Sequence, residues 1–184
     1  MSTITDATTE QLIAELYTTA GKAEIVGGRI VMMSPTGDMP SSAGGAIYAS
    51  LRVYAKRSGG RAYTDNVAFL VDLPNRKSFC PDASYYTGPR TKMKFLSGTP
   101  DFAAEVRSEG DYGPAAEREM AAKRADYFAA GTKVVWDVDL LSDDVVRVYR
   151  ADSPELPAIY RRGETAEAEP AVPGWQFPVD ELFD

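Results

Sequence analysis

Asp82, Glu105 and Lys123 are the residues of this chain whose types and spacing could do chemistry together, with Arg107 and Glu24 beside them. Two carboxylates that converge repel each other unless a cation neutralises them or one of them takes up a proton. Convergence of Asp82 and Glu105 therefore points either to a divalent metal site or to a glycosidase-like acid/base pair. Hard oxygen ligands favour magnesium, with manganese as the alternative, and such an ion activates water and offsets charge growing on a phosphate oxygen.

Composition narrows the chemistry further. The chain has no histidine, which removes Ser-His-Asp triads, Cys-His pairs and His-containing zinc sites in one step. Its single cysteine, Cys80, cannot form a disulfide or a cysteine-based zinc site within one chain. Acid–base work falls to carboxylates, lysine and arginine. The net charge of −7 argues against a broad, sequence-independent grip on nucleic acid, which depends on neutralising many phosphates. A small metal site remains compatible with acting on them.

The elements that must position these residues follow from local pattern. Thr8 with Gln11 reads as a capping box opening a helix over residues 9–20, which Gly21 ends. Ala23–Val26, Gly27-Gly28 and Arg29–Met33 form a hairpin pattern, with Glu24 on its first strand. Ile47, Leu51 and Tyr54 recur at helical spacing up to Gly59-Gly60. Residues 63–73 are rich in β-formers but divisible at Asp65-Asn66, and 81–86 and 102–106 read as strands carrying Asp82 and Glu105. Pro114 opens a third helix that ends at Gly131, and residues 134–136 and 145–149 form a closing hairpin.

From about residue 151 the chain is less regular until Trp175–Pro178, whose aromatics are expected to pack back onto the domain. At 184 residues, with 44% hydrophobic and 26% charged residues, residues 1–184 read as a single domain able to bury its own core. The order of elements predicts an α/β (α+β) fold, a mixed β-sheet flanked by helices. No stretch reaches the ~20 apolar residues of a membrane span, and residues 1–10 lack a signal-peptide pattern. A soluble, cytoplasmic protein with no membrane partner is the expectation.

Neighbouring strands lie about 4.8 Å apart, close enough for Asp82 and Glu105 to share one cation. Asp101 is a decoy: four residues along the same strand place it about 13 Å from Glu105. Arg107, two residues after Glu105, projects from the same strand face and is suited to orienting a phosphate rather than to acting as a base. Lys123 sits one turn from Met120 and Tyr127 on its helix, placed to point inward. Each residue also has an ordinary reading: a strand-end acid as a cap, Lys123 as a snorkelling side chain, Arg107 in a surface ion pair, Glu24 paired across its hairpin with Arg29. Arg76, Lys77, Arg90, Lys92 and Lys94 flank the Asp82 strand and read as solubilising loop charge or as phosphate contacts. Gly27-Gly28 lacks any phosphate-loop pattern and reads as a turn.

In order and spacing, the segments Glu24–Val31, Pro81-Asp82, Glu105–Ser108, Lys123–Tyr127 leading to Gly131, Val135–Asp137, and Pro173–Trp175 to Phe183 resemble the Uma family of the PD-(D/E)XK nuclease superfamily, across nearly the whole chain. The resemblance implies a restriction-endonuclease-like core and a magnesium-dependent endonuclease acting on nucleic acid, with DNA as substrate. Asp82 and Glu105 would bind metal, Glu24 would lie at the site, and Lys123 would replace the lysine that the superfamily places two residues after its glutamate. That position is Arg107 here, and Ser41-Ser42 with small residues stand where family members often carry a histidine. A nuclease fold that has lost catalysis and serves as a binding or regulatory module is the competing reading. The superfamily's habit of cutting two strands implies a homodimer.

Overall fold

The computed structural model describes residues 8–184. Helix α1 (Thr9–Thr18) carries the expected capping box: Gln11 N–H donates to Thr8 Oγ1, and Thr8 N–H donates to Gln11 Oε1. Strands β1 (Ala23–Val26) and β2 (Arg29–Met32) form the hairpin. Gly27 and Gly28 both take positive φ, 59° and 72°, as a tight turn matching strand twist requires.

Helix α2 (Asp38–Ser58) starts well before the periodic residues that announce it. Its first turns are made of Met, Pro, Ser, Ala and Gly, which carry no apolar period. Gly44 faces Asp82: a Cβ added at this glycine would sit 3.7 Å from the Asp82 Cβ, an ordinary van der Waals contact. Pro40 falls in the first turn, where a missing N–H costs nothing.

Strands β3 (Arg61–Thr64) and β4 (Phe69–Leu70) are separated at Asp65-Asn66, and β5 (Ser78–Phe79) precedes β6 (Ala83–Tyr86). Next come β7 (Leu96–Ser97), β8 (Phe102–Val106), helix α3 (Pro114–Ala130) and the hairpin of β9 (Val134–Val138) with β10 (Val146–Arg150). The C-terminal part is more regular than its composition suggests. It contains β11 (Ser153–Tyr160), β12 (Thr165–Glu167), β13 (Gln176–Pro178) and a 3₁₀ turn over Val179–Phe183.

The central sheet runs β11-β10-β9-β8-β6-β3, with β8 and β9 parallel and the other pairs antiparallel. β11 tolerates Pro154 and Pro157 because it is an edge strand, where a missing N–H need break no ladder bond. Alternation divides the core into two layers. Phe102, Ala104 and Val106 face the layer of Ile47, Leu51, Trp175 and Phe177, while Ala103 shares the other with Tyr127, Val135 and Phe79. Trp175 stacks on Trp136 at 5.1 Å between centroids, bringing the C-terminal aromatics onto the sheet as the sequence leads one to expect. The result is a mixed sheet flanked by helices, consistent with a restriction-endonuclease-like core.

Candidate active site

Asp82 directly precedes β6 and lies opposite Glu105 of β8, one step beyond the registered pair Ala83 and Ala104. Two bonds hold it there: Asp82 N–H donates to the Ala104 carbonyl at 3.1 Å, and Val106 N–H donates to Asp82 Oδ2 at 2.7 Å. The backbone of one strand thus fixes the carboxylate of its neighbour. Asp101 lies elsewhere on the sheet, tied to Lys133 and Thr87.

Helix α3 lies across this face and supplies Lys123 and Tyr127, one turn apart. Lys123 Nζ stands 2.9 Å from Glu105 Oε2 and 2.9 Å from Glu24 Oε1, and the Tyr127 hydroxyl donates to Glu105 Oε1 at 2.6 Å. Glu24 comes from the separate β1–β2 hairpin and is buried. It also accepts from Cys80 N–H at 2.8 Å and pairs with Arg76, whose Nε reaches Asp126 at 2.8 Å. Glu24 is therefore not a cross-strand partner of Arg29; its opposite residue on β2 is Val31.

The two glutamates titrate in opposite directions. Burial raises Glu105, and the Asp82 and Glu24 carboxylates raise it further, against the pull of Lys123. Burial also works against ionised Glu24, but Lys123 and Arg76 outweigh it and hold this carboxyl below the usual range. Lys123 loses affinity for its proton through burial and more than regains it from Glu105 and Glu24, so its ammonium stays charged. Burial drives the Tyr127 hydroxyl well above its ordinary value, with Glu105 and Glu24 adding to the shift. It remains a donor. Separated proton affinities within one small group of side chains are a mark of a functional site.

A second cation enters where sequence reading did not look. Lys22 Nζ lies 2.6 Å from Asp82 Oδ1 and 2.6 Å from Asp65 Oδ1. Burial disfavours its charge, but Asp82 and Glu105 more than compensate and raise it above an ordinary lysine. The available signal was strand alternation, since Lys22 precedes Glu24 by two residues and so shares its side of the hairpin. Arg76 was visible only as loop charge; a partner 52 residues away draws it inside.

Arg107 projects toward α3, as its distance from Glu105 along the strand predicts, but its contacts are with other residues. Its guanidinium grips Asp137 through two bonds of 2.8 Å and also engages Glu117. These bonds raise its pKa, those to Asp137 most. Of the flanking cations, Lys77 pairs with Asp72 at 2.6 Å, whereas Arg90, Lys92 and Lys94 are exposed on a turn closed by the Lys94 N–H to Thr91 carbonyl bond. Met93 between them is 96% exposed.

Among the described residues, no three His, Cys, Asp or Glu side chains gather as a ready metal cage. The donor set of Asp82 and Glu105 still suits a small, hard divalent cation, which is commonly held by one or two carboxylates and completed by water. Burial contributes most to the raised pKa of Glu105, and the neighbouring Asp82 and Glu24 carboxylates add a smaller part that such a cation would relieve.

Comparison with known proteins agrees with this architecture. The Uma2 family, described as "Putative restriction endonuclease", matches residues 9–180. Among solved structures, the chain resembles a "putative nuclease belonging to DUF820" from Anabaena variabilis ATCC 29413, with a TM-score of 0.71 and 16% identity. That match covers 94% of this chain and 97% of the other, and at this identity it bears on the fold alone. A search of curated proteins returned no match. No helix among the described residues is long and apolar enough to cross a membrane.

Proposed function

Because this chain belongs to the Uma2 family, we propose that it hydrolyses phosphodiester bonds in nucleic acid, with DNA as substrate, using magnesium or manganese held by Asp82 and Glu105. The observation that carries this reading is that Asp82, directly before β6, lies opposite Glu105 on β8, with Lys123 and buried Glu24 packed behind them. The bound cation would supply an activated water and Lewis-acid stabilisation of the phosphate.

The protein's own groups have separable tasks in this scheme. Val106 N–H and the Ala104 carbonyl orient Asp82, while Tyr127 and Lys123 orient Glu105. Lys123 keeps its proton and so serves as a fixed hydrogen-bond donor and counter-charge, not as a base. Glu24, backed by Arg76, holds the Lys123 ammonium toward Glu105. Arg107 braces the end of β8 against β9 and α3 through Asp137 and Glu117 rather than meeting the phosphate directly. The exposed turn with Arg90, Lys92 and Lys94 offers phosphate contacts in an otherwise acidic protein.

Supercoiled plasmid and labelled single strands incubated at low salt with magnesium, manganese or EDTA test the proposal. Metal-dependent cutting that disappears in folded Asp82→Asn is the expected result; full activity in that variant overturns the site assignment. One observation favours a catalytically silent binding module instead: an internal ammonium already occupies Asp82. Nucleic-acid binding with no metal effect on stability or cleavage would select that alternative.

A further inference from the structure

We propose that Lys22 is a built-in counter-cation that competes with the divalent metal for Asp82, and that Asp65 is the seat it retains when metal enters. The inference rests on the metal-site reading above. Both Asp82 oxygens already have donors, the Lys22 ammonium on Oδ1 at 2.6 Å and Val106 N–H on Oδ2 at 2.7 Å. A divalent ion shared by Asp82 and Glu105 would lie beside that ammonium, and like charges at contact distance in a partly buried site repel strongly. Entry of the metal therefore requires Lys22 to withdraw.

Lys22 has somewhere to go. Its second carboxylate, Asp65, has a side chain 44% exposed, against 16% for Asp82. Asp65 lies at the break between β3 and β4, where its Oδ1 also accepts Asn66 N–H at 2.8 Å and Asn66 adopts a left-handed φ of 63°. A lysine is a point charge on a flexible stem, so the ammonium can release Asp82 while keeping its bond to Asp65. Lys123 has no comparable exit, since its carboxylates are Glu105, already within the site, and deeply buried Glu24. The two lysines thus divide the work: Lys123 is a permanent counter-charge, and Lys22 is a displaceable one that keeps the metal-free site neutralised.

The test is calorimetric titration of the full chain with manganese, paired with thermal melts to show that each variant is folded. Lys22→Met removes the competitor, and Lys22→Gln does so while preserving a hydrogen bond. Both should bind manganese about tenfold or more tightly than wild type. Asp65→Asn should weaken binding several-fold, because the ammonium then depends on Asp82 alone. Equal or weaker affinity in both Lys22 variants overturns the proposal, and if Asp82→Asn still abolishes binding, the metal site survives that failure. Absence of manganese binding in wild type and both Lys22 variants overturns the metal site and the competition together.

Discussion

Lys123 Nζ lies 2.9 Å from Glu105 Oε2, and this bond joins helix α3 to strand β8 at the centre of the candidate site. The same ammonium reaches Glu24 on a hairpin outside the central sheet. One cation therefore bridges two carboxylates that are far apart in the chain and close together in space.

Replacing Lys123 by Met should leave Glu24 and Glu105 without their shared partner. Removing one member of a buried ion pair costs about 3–5 kcal/mol, and urea unfolding at neutral pH should show a loss of that order. Added manganese should restore more stability to the variant than it gives wild type, because it replaces the missing charge. A variant as stable as wild type would show that Lys123 is not the counter-charge.

Glu24→Gln should be destabilising at pH 7 by about 3 kcal/mol, with a definite pH signature. The folded state holds the Glu24 carboxyl below its ordinary value of 4.5, so between the two values the unfolded chain binds more protons and stability rises with pH. Its contribution is complete above about pH 4.5 and disappears as pH falls through the lowered folded value. Denaturation curves of wild type and variant should therefore converge in acid. A difference that persists unchanged there would trace the loss to packing rather than to charge.

Arg107→Lys separates bracing from chemistry. Lysine cannot reproduce the planar grip on Asp137 and Glu117, and the lost charge-assisted bonds should cost about 1.5–3 kcal/mol in thermal or urea unfolding. Manganese affinity of the folded variant should stay at the wild-type value. An affinity that falls while stability holds would return Arg107 to the metal site, where the spacing from Glu105 first suggested it.

Strong local signals made much of the framework legible. Gly27-Gly28 announced the hairpin, Thr8 and Gln11 the first helix, and Pro114 and Gly131 the limits of the third, because each acts within a few residues of itself. The start of α2 and the strand β11 were hidden for the opposite reason. Ala43 and Gly44 carry no apolar period and are buried only once α2 packs on the rest of the fold, and Pro154 and Pro157 fit a strand only because it lies at a sheet edge.

The same division runs through the site. By itself, the sequence determined which chemistries remain open: a chain without histidine and with one cysteine must work through carboxylates, lysine and arginine. Its strand pattern also determined that Glu105 sits on a strand, whereas Asp82, expected within the neighbouring strand, stands just before it. Only tertiary structure decided which cation meets which acid. Lys22 finds Asp82 across 60 residues and Arg76 finds Glu24 across 52, while Arg107 turns to Asp137 on the adjacent strand. Local periodicity sets the face on which a side chain projects, but charges pair through space, and their partners are chosen when distant segments fold together.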